Sequence, residues 1–362
     1  MTLPVLGVDL GGANLKYVSL EGRAHCTAFP MWTDYQRLAS QLQLDLQEHY
    51  PGRHQVAATM TGELADCFVD RQQGVDHIAQ ALVSACEALH WPAPAFYHVD
   101  GTFYDEAETR AHCDRAAASN WHGLANFVAK VSRWDAVECL SDLMQQLTAA
   151  PTSAHSTALL IDIGSTTSDL IPLKNGDIAS SSATDFDRLK ERSLVYLGCQ
   201  RTAVCSLIEQ LPFAGTMVPV MRELFATMDD VRLLTGHQAE NNHDFDSADG
   251  KARGRLEAAN RMARMIGLDH RNVSMQDAES MAHHIHQQAQ SVLTAAIDTL
   301  IANEQTTENA IWLISGHGMD LLSEARSKHS GTRMVSLQEI LGPEVSRSAP
   351  AFAIAALYQH SL

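Results

Sequence analysis

The fold is decided by the segment Val5-Leu-Gly-Val-Asp-Leu-Gly-Gly-Ala-Asn-Leu-Lys16, in which an apolar run leads into an acidic residue and two glycines. The continuous apolar character of Val5–Asp9 is typical of a buried strand. The next segment, Leu15–Leu20, alternates between apolar and polar residues, which indicates a strand with one exposed face. We therefore predict a strand, a glycine turn and a second strand.

The same pattern recurs 153 residues later in the chain. With this shift, Val8-Asp-Leu-Gly11 aligns with Ile161-Asp-Ile-Gly164, and Tyr17-Val-Ser-Leu20 aligns with Leu170-Ile-Pro-Leu173. Both copies lie near the start of their half of the chain, as expected for a duplicated domain. We therefore predict an α/β protein of two related domains around an interdomain cleft.

The rest of the sequence alternates between strand patterns and helix patterns, as α/β proteins do. Helical apolar spacing is found at residues 35–50 and 75–90, and a third strand with a glycine turn ends at Ser315-Gly-His-Gly318. The polar segment Asn241–Gly254 is predicted to be a mobile loop or lid. The clearest candidate boundary is the loop at residues 149–154. The predicted domains are residues 1–150 together with a C-terminal helix at 346–362, and residues 155–345.

The composition excludes several classes of protein. The chain has 362 residues, of which 45% are apolar, and its formal net charge is −17. Such an acidic chain repels nucleic acid and anionic lipid, and no cluster of Lys or Arg offsets the charge locally. No apolar run approaches the roughly 20 residues that cross a bilayer, and the seven cysteines form no Cys-x-x-Cys pair. We expect a reduced, cytoplasmic protein that binds neither nucleic acid nor membrane; homo-oligomerisation is left open.

A glycine turn between two strands can bind phosphate without a basic side chain, because successive backbone N–H groups form a nest for oxygen atoms. The turns at Gly11 and Gly164 both have this form, and three hydroxyl residues that follow Gly164 can donate further hydrogen bonds: Ser165, Thr166 and Thr167. The alternative is that each turn is an ordinary tight hairpin. Two equivalent turns and a third Gly-x-Gly turn favour phosphate binding.

The acidic residues around the turns are candidate Mg²⁺ ligands. A carboxylate repels phosphate, but it can hold a Mg²⁺ ion that bridges the phosphate oxygens. The candidates are Asp9, Asp162 and Asp169. Lys16 is the cation placed to neutralise a phosphate at the first turn.

Three further features have two interpretations each. Glu63, after the strand that ends at Met60, either lines the cleft or belongs to a helix N-terminus capped by Thr61. Arg201 either clamps a carboxylate or phosphate or forms a surface ion pair, and its spacing alone slightly favours the ion pair. The cluster His283-His-Ile-His286 is interpreted as a solvated face of a helix rather than a metal site, because no carboxylate lies at ligand spacing.

Gly7–Lys16, Asp162–Asp169 and Ser315–Gly318 resemble the two phosphate loops and the nucleotide-end loop of the acetate/sugar kinase–heat-shock–actin superfamily. This resemblance implies that both α/β domains are actin-like (ribonuclease H-like). Within the superfamily, the chain is most similar to the hydantoinase/oxoprolinase-related group of tetrahydromethanopterin-linked C1 transfer pathway proteins. The narrower resemblance covers nearly the whole chain and includes Met60–Phe68, His98–Phe103, Ala117–Trp121, Val195–Thr202 and Ala248–Lys251.

The resemblance also implies which residues form the site. The first phosphate loop would comprise Asp9, Gly11, Gly12, Asn14 and Lys16, and the second Asp162, Gly164, Ser165, Thr166, Thr167 and Asp169. Substrate contacts would come from Asp100, Arg201, Gly316, His317 and Gly318. His317 stands where nucleotide-binding relatives have a plainer glycine loop, and its bulk argues against adenine while allowing a furan.

The activity implied by this resemblance is an Mg²⁺-dependent alkyl transfer in methanofuran or methylofuran biosynthesis, for C1 metabolism. The transferase would join an aminomethyl-furanmethyl diphosphate to the phenol of a (γ-glutamyl)tyramine-type acceptor, releasing pyrophosphate and forming an aryl ether. The catalytic residues would be Asp162, Asp169, Lys16 and Glu63. The phenol must lose a proton, since its ordinary pKa is about 10, and Glu63, Asp100 or His317 would accept it.

Two other functions use the same loops. One is an ATP-dependent small-molecule kinase or a hydantoinase/oxoprolinase-like enzyme, which requires tight binding of Mg·ATP. The other is a nucleotide-binding regulator without catalytic activity. A regulator would tolerate Asp162→Asn without losing turnover, whereas an enzyme of the kind implied above would not.

Overall fold

The computed structural model of the protein describes residues 3–131, 157–180 and 182–362. The predicted boundary at residues 149–154 lies outside the described residues. The chain forms two compact units. Unit 1 comprises Met1–Leu160, Ile171–Arg188 and Val335–Leu362, and unit 2 comprises Ile161–Leu170 and Leu189–Met334.

The first sheet contains both strands that flank the first glycine turn. Its strands are β1 (Val5–Leu10), β2 (Asn14–Ser19), β3 (Ala24–Ala28), β4 (Gln55–Met60), β5 (Ala95–Tyr97) and β6 (Phe103–Tyr104). They lie in the order β3-β2-β1-β4-β5-β6. Strands β1, β2 and β3 pair antiparallel, whereas β4 is parallel to β1 and β5 is parallel to β4. The predicted strand–turn–strand at the start of the chain is confirmed.

Helices cover this sheet, and the last helix of the chain is among them. They span Met31–Asp34, Leu38–His49, Arg71–Ala88, Glu106–Ala111, Cys113–Ala116, Asn120–Val131, Leu337–Leu341, Pro343–Arg347 and Ala349–Ser361, with a 3-10 turn at Tyr35–Arg37. The last helix packs on β1 and on the helix Asn120–Val131. Gly7 permits this close approach, because a Cβ at this position would lie 1.8 Å from the Ala351 carbonyl oxygen.

The second sheet repeats the topology of the first. The remaining strands are β7 (Thr157–Ile163), β8 (Ser168–Lys174), β9 (Asp177–Ile178), β10 (Leu194–Val195), β11 (Gln210–Phe213), β12 (Thr216–Pro219), β13 (Ile311–Gly316) and β14 (Met334–Ser336). The sheet order is β10-β8-β7-β13-β14, with β9 beside β8, and β11 and β12 form a separate hairpin. With β6 and β9 set aside, both sheets place their strands in the order third, second, first, fourth, fifth. The predicted fold, a duplicated actin-like α/β topology, is confirmed.

The second half of the chain contains one long helix and several short ones. They span Asp185–Glu191, Val204–Leu207, Met228–Thr235, Arg255–Arg264, Met275–Ala302 and Ser323–Lys328, with a 3-10 turn at Met319–Leu322. The long helix begins with a capping box, in which Ser274 and Asp277 satisfy each other's backbone N–H groups. Within the described ranges, no helix combines the length and the apolar character needed to cross a membrane.

The polar segment Asn241–Gly254 is a loop, but charged contacts hold it in place. Asp249 accepts a hydrogen bond of 2.9 Å from Arg261, which is fully buried. Arg253 pairs with Asp229 on the neighbouring helix. The segment is therefore a loop, as predicted, and its mobility and its role as a lid stay predictions.

Candidate functional site

The first glycine turn is closed by its own backbone and supported by the end of β4. The Gly11 N–H donates to the Asn14 carbonyl at 3.0 Å. The Leu10 carbonyl accepts hydrogen bonds from the N–H groups of Thr61, at 2.9 Å, and Gly62, at 3.0 Å. A Cβ on Gly62 would lie 3.1 Å from the Gly11 carbonyl oxygen, so the two glycines are in close contact. The Gly11 amide therefore fixes the shape of the turn.

An ion pair lies beside this turn. Asp9 on β1 and Lys16 on β2 are directly opposite in the antiparallel register. The Asp9 carboxylate is 2% exposed, and its Oδ2 lies 3.4 Å from the Lys16 Nζ, which is 23% exposed. Lys16 already compensates part of the Asp9 charge, which weakens Asp9 as a direct metal ligand. Asn14, at the other end of the turn, accepts a weak hydrogen bond from the Cys26 thiol.

The second glycine turn repeats the hydrogen bond of the first. The Gly164 N–H donates to the Thr167 carbonyl at 2.9 Å, which is the same three-residue closure. Asp162, at the end of β7, is partly exposed, whereas Asp169 on β8 is buried. The turn residues Ser165 and Thr166 are also partly exposed, and their hydroxyl oxygens lie 3.5 Å apart. The second turn thus presents hydroxyl groups and a partly exposed carboxylate together.

The segment Gly198–Arg201, here called the strap, packs against the second turn and donates backbone hydrogen bonds to it. The Cys199 N–H donates to the Gly164 carbonyl at 3.0 Å, and the Arg201 N–H donates to the Ser165 carbonyl at 2.8 Å. A Cβ on Gly198 would lie 2.4 Å from the Thr166 backbone nitrogen, so only glycine fits there. The backbone of the strap therefore stabilises the second turn. The Arg201 side chain is exposed.

The third loop contacts the second turn at the position where Gly62 contacts the first. The His317 N–H donates to the Ile163 carbonyl at 3.1 Å. Gly316 has a φ of +82°, and a Cβ on this residue would lie 2.1 Å from the same carbonyl oxygen. A Cβ on Gly318 would lie 2.2 Å from the Ile163 side chain. Both glycines of this loop are thus required by packing against the second turn.

Arg232 joins the strap to the third loop. Its guanidinium group donates to the Cys199 carbonyl at 3.3 Å and to the His317 carbonyl at 2.9 Å. Asp320 fixes the guanidinium group with two hydrogen bonds, of 3.1 and 2.9 Å. Arg232 is 3% exposed, and a planar guanidinium is the side chain that can serve several acceptors at once. No sequence motif around Arg232 predicts this role.

The interpretation of His283–His286 as a solvated face is wrong for its last member. His286 is buried, and its Nε2 lies 2.9 Å from Asp320, while Gln290 bonds its other ring nitrogen at 3.0 Å. The ring of His237 stacks on it at 4.7 Å. His237, His286 and Asp320 also offer ligand atoms within 4.8 Å of one another. The Arg232 guanidinium that binds Asp320 disfavours a cation there, so this cluster supports the loops.

Glu63 lies in a turn and not at a helix N-terminus. The next helix begins at Arg71 and is capped by Asp70, so the interpretation of Glu63 as part of a Thr61-capped helix is wrong. Glu63 is 2% exposed, and burial raises its pKa to about 7, with a smaller opposing effect from the Ala118 backbone amide. Its Oε2 has no hydrogen-bond partner among the described residues. A buried carboxylate with a pKa near neutrality is a candidate general base.

Trp121 and Arg188 form a cation–π pair in unit 1. The Arg188 guanidinium carbon lies 4.2 Å from the centre of the Trp121 ring, and both side chains are buried. Arg188 also pairs with Asp185 at 3.2 Å, and the charge of Asp185 acts on Glu63. Ala117–Trp121 is one of the segments that carry the family resemblance, but no sequence pattern assigns Trp121 a role.

Asp100 is engaged in a local turn. Its Oδ1 accepts from the Thr102 N–H at 3.1 Å, and its Oδ2 accepts from the Tyr104 hydroxyl at 3.1 Å. Arg115 lies 3.6 Å away. Asp100 therefore stabilises the turn after β5. Both of its carboxylate oxygens already accept hydrogen bonds.

Two sheets of the same topology, each with a glycine turn after its first strand, define an actin-like protein. The nucleotide-free structure of acetone carboxylase is similar, with a TM-score of 0.52, 10% identity, and coverage of 98% of this chain and 70% of that one. At this identity the similarity shows the fold alone.

The chain belongs to the hydantoinase/oxoprolinase family, which it matches over residues 144–361. A protein of Methanocaldococcus jannaschii is 30% identical over 366 aligned positions, which cover 100% of this chain and 99% of the relative. It is named (4-{4-[2-(gamma-L-glutamylamino)ethyl]phenoxymethyl}furan-2-yl)methanamine synthase. A Methanococcus vannielii protein of the same name is 28% identical, covering 56% of this chain and 91% of the relative.

Proposed function

We propose that this protein is a synthase that joins a furanmethyl group to the phenol oxygen of a γ-glutamyltyramine-type acceptor in methanofuran or methylofuran biosynthesis. The observation that carries this proposal is the full-length similarity to a synthase whose named product contains a phenoxymethylfuran unit. We further propose aminomethyl-furanmethyl diphosphate as the donor. The phenol oxygen forms a bond to the methylene carbon, the carbon–oxygen bond to diphosphate breaks, and pyrophosphate leaves with the electron pair.

The second turn has the donor set that a diphosphate and its counter-ion require. Hydroxyl groups of Ser165 and Thr166 are partly exposed there, beside the partly exposed carboxylate of Asp162. Carboxylate and hydroxyl oxygens fit Mg²⁺, which in proteins binds through one or two carboxylates, water and substrate phosphates. We propose that Asp162 and Asp169 would hold Mg²⁺, which supplies positive charge to the leaving diphosphate. Lys16 is placed to stabilise negative charge at the first turn.

Glu63 is the proposed general base for the phenol. Its pKa of about 7 lets the carboxylate be ionised and still bind a proton at neutral pH, which suits proton transfer. Among the sequence candidates, Asp100 already accepts hydrogen bonds with both oxygens. In this proposal the phenol proton moves to Glu63 as the new carbon–oxygen bond forms.

The direct test is pyrophosphate release by the purified protein with Mg²⁺. We expect release only when aminomethyl-furanmethyl diphosphate and γ-glutamyltyramine are both present, together with the aryl ether detected by mass spectrometry. Release without the acceptor would indicate a hydrolase. No release under any condition, together with tight Mg·ATP binding by calorimetry, would favour the kinase function.

Asp162→Asn tests the role of the second turn. Loss of the charge that holds Mg²⁺ removes stabilisation of the leaving diphosphate, so activity should fall by about 100-fold or more. The matched control is Asp246→Asn, at an exposed aspartate elsewhere in unit 2, which should retain full activity. Equal activity of the two variants would contradict the assignment of Asp162.

A further inference from the structure

A buried carboxylate on the helix Leu38–His49 is held by neutral hydrogen-bond donors. Asp45 is 4% exposed, and its two oxygens accept hydrogen bonds of 2.8 Å from the Tyr17 hydroxyl and the Gln41 side-chain amide. Within the described ranges, Asp45 forms no ion pair with Lys or Arg. A buried carboxylate without a positive partner costs free energy, so a cation beside Asp45 would stabilise this part of unit 1.

Two histidine rings lie beside this carboxylate. His49 is one helical turn after Asp45, so both side chains lie on the same face of the helix. His25 comes from β3, the edge strand of the first sheet. The two rings stack with their centres 3.5 Å apart. One ligand atom from each of the three side chains lies within 4.8 Å of the other two. The helix and the edge strand thus bring three metal-binding groups together.

The donor set of this cluster is two imidazole nitrogens and one carboxylate oxygen. Zn²⁺ binds these groups at about 2.0–2.2 Å, which in a tetrahedron places the ligand atoms about 3.3 Å apart. The side chains must therefore move inward by about 1 Å, and both histidines are only partly buried and can rotate. Mg²⁺ prefers a shell of oxygen atoms, whereas imidazole suits Zn²⁺ and its neighbours among the transition metals.

Hydrogen bonds orient the side chains of the cluster, as is usual around bound metal ions. The buried Tyr17, which fixes Asp45, lies directly opposite His25 in the register of β2 and β3. The Thr27 hydroxyl bonds the His25 ring at 3.0 Å. A carboxylate has about four acceptor positions, so the bonds from Tyr17 and Gln41 leave room for an ion. The cluster is therefore held in place by groups that do not compete with a metal.

The similar cluster in unit 2 differs in the partner of its carboxylate. His237, His286 and Asp320 also bring their ligand atoms within 4.8 Å of one another. There the Arg232 guanidinium group donates to Asp320 at 2.9 Å and supplies the positive charge. Asp45 has only neutral donors among its hydrogen-bond partners. The comparison favours the unit 1 cluster as the one that takes a cation.

We propose that His25, Asp45 and His49 bind one divalent transition-metal ion of the Zn²⁺ type. The ion ties the edge strand β3 to the last turn of the helix that carries Asp45 and His49. Three protein ligands leave a fourth position for water. The site uses other residues and other donor atoms than the Mg²⁺ site proposed at the second glycine turn, so it does not depend on the proposed function.

The experiment is calorimetric titration of the full-length protein, without an affinity tag, with Zn²⁺ in the presence of excess Mg²⁺. We expect saturable binding of Zn²⁺. His25→Gln and His49→Gln should each lower the affinity by at least about 100-fold, because even an outer partner of a metal ligand is worth 10- to 100-fold. His283→Gln, at an exposed histidine of unit 2, and His237→Gln, in the second cluster, should leave this binding unchanged.

Three results would overturn the proposal. They are the absence of saturable Zn²⁺ binding, binding that survives His49→Gln, and binding that only His237→Gln removes. Competition by Mg²⁺ at equal concentration would also contradict it, because the donor set would then not select a transition metal.

Thermal unfolding gives a second measurement. An ion that binds only the folded protein stabilises it, so Zn²⁺ should raise the Tm of the wild-type protein and of His237→Gln but not that of His49→Gln. Tyr17→Phe, which removes the hydroxyl that orients Asp45, should weaken Zn²⁺ binding by about 10- to 100-fold. If Tyr17→Phe does not fold, the variants of the partly exposed histidines still decide the question. An equal rise in Tm for all proteins would mean non-specific binding and would contradict the site.

Discussion

In the first glycine turn the Gly11 amide donates to the Asn14 carbonyl, and in the second the Gly164 amide donates to the Thr167 carbonyl in the same way. The carbonyl before each turn accepts a hydrogen bond from the residues that follow the neighbouring strand, from Gly62 after β4 in unit 1 and from His317 after β13 in unit 2. The surroundings differ. The first turn carries an Asp–Lys ion pair, whereas the second has hydroxyl groups, a strap and the Arg232 network.

The two units therefore surround the same backbone turn with different polar groups. In unit 2 the polar groups around Arg232 bond each other and the loop carbonyls, so the network stabilises the loops. In unit 1 the region of Glu63 and Trp121 contains buried polar atoms that no described residue satisfies. Hydrogen-bonded polar groups such as Arg232 and Asp320 stabilise the loops that they join, whereas an unsatisfied buried carboxylate such as Glu63 requires an explanation.

The largest effect is expected from removing the centre of the unit 2 network. Arg232→Met leaves the buried Asp320 without its cation, so the free energy of unfolding should fall by about 3–5 kcal/mol. Denaturant titration would measure the change. Arg271→Met removes an exposed Arg–Asp pair and should leave the free energy of unfolding almost unchanged. A small loss for Arg232→Met would mean that the strap and the third loop are held by other contacts.

The next effect tests the strap. In Gly198→Ala the new Cβ would meet the Thr166 backbone at 2.4 Å, so the second turn must move. We expect a loss of about 1–3 kcal/mol of stability and a fall in activity of about 100-fold, since small misplacements of a site are costly. Gly331→Ala, where a Cβ meets nothing within 4 Å, is the control. Unchanged activity in Gly198→Ala would mean that the position of the second turn does not affect catalysis.

The equivalent glycines of the two units give a direct comparison. Gly316→Ala combines a positive φ with a contact of 2.1 Å, whereas Gly62→Ala meets its neighbours at 3.1 Å with an ordinary φ. The first substitution should therefore cost about 1–2 kcal/mol more than the second. Thermal unfolding of both variants would measure the difference. Equal losses would show that the first turn is as tightly constrained as the second.

The last comparison concerns the pH dependence of stability. Burial raises the pKa of Glu63 to about 7, so its contribution is complete below its ordinary pKa of 4.5 and is lost as the pH rises toward 7. Between these values the wild-type protein should lose about 1 kcal/mol per pH unit relative to Glu63→Gln. Burial also raises the pKa of Asp230, to about 6. Asp230 is present in both proteins, so its contribution cancels from the difference between them.

Urea titrations of both proteins at pH 5, 6 and 7 would measure this dependence. Glu87→Gln, at an exposed glutamate, should show no such slope relative to the wild-type protein. A constant difference between Glu63→Gln and the wild-type protein across the range would contradict the burial of an unsatisfied carboxylate at this position.

The glycine turns and the duplicated topology were predictable because strand patterns and turn glycines are local properties of the sequence. The same local evidence misassigned His286, which was interpreted as solvated and is buried against Asp320, 34 residues away along the chain. Both interpretations of Arg201 concerned its side chain. The structure shows instead that the backbone N–H groups of Arg201 and Cys199 bond the second turn. A contact between residues that are far apart in the sequence produces no regular spacing from which it could be predicted.

The sequence by itself determined the repeated strand–turn–strand, the acidic residues at the strand ends and the family of the protein. Each of these can be recognised from short contiguous segments of the chain. Only the tertiary structure decided which polar groups are satisfied and which are not. Arg232 gains its partners, and Glu63 and Trp121 lack theirs, through the packing of segments far apart in the chain. Burial and hydrogen bonding are properties of surroundings, and those surroundings exist only after the chain has folded.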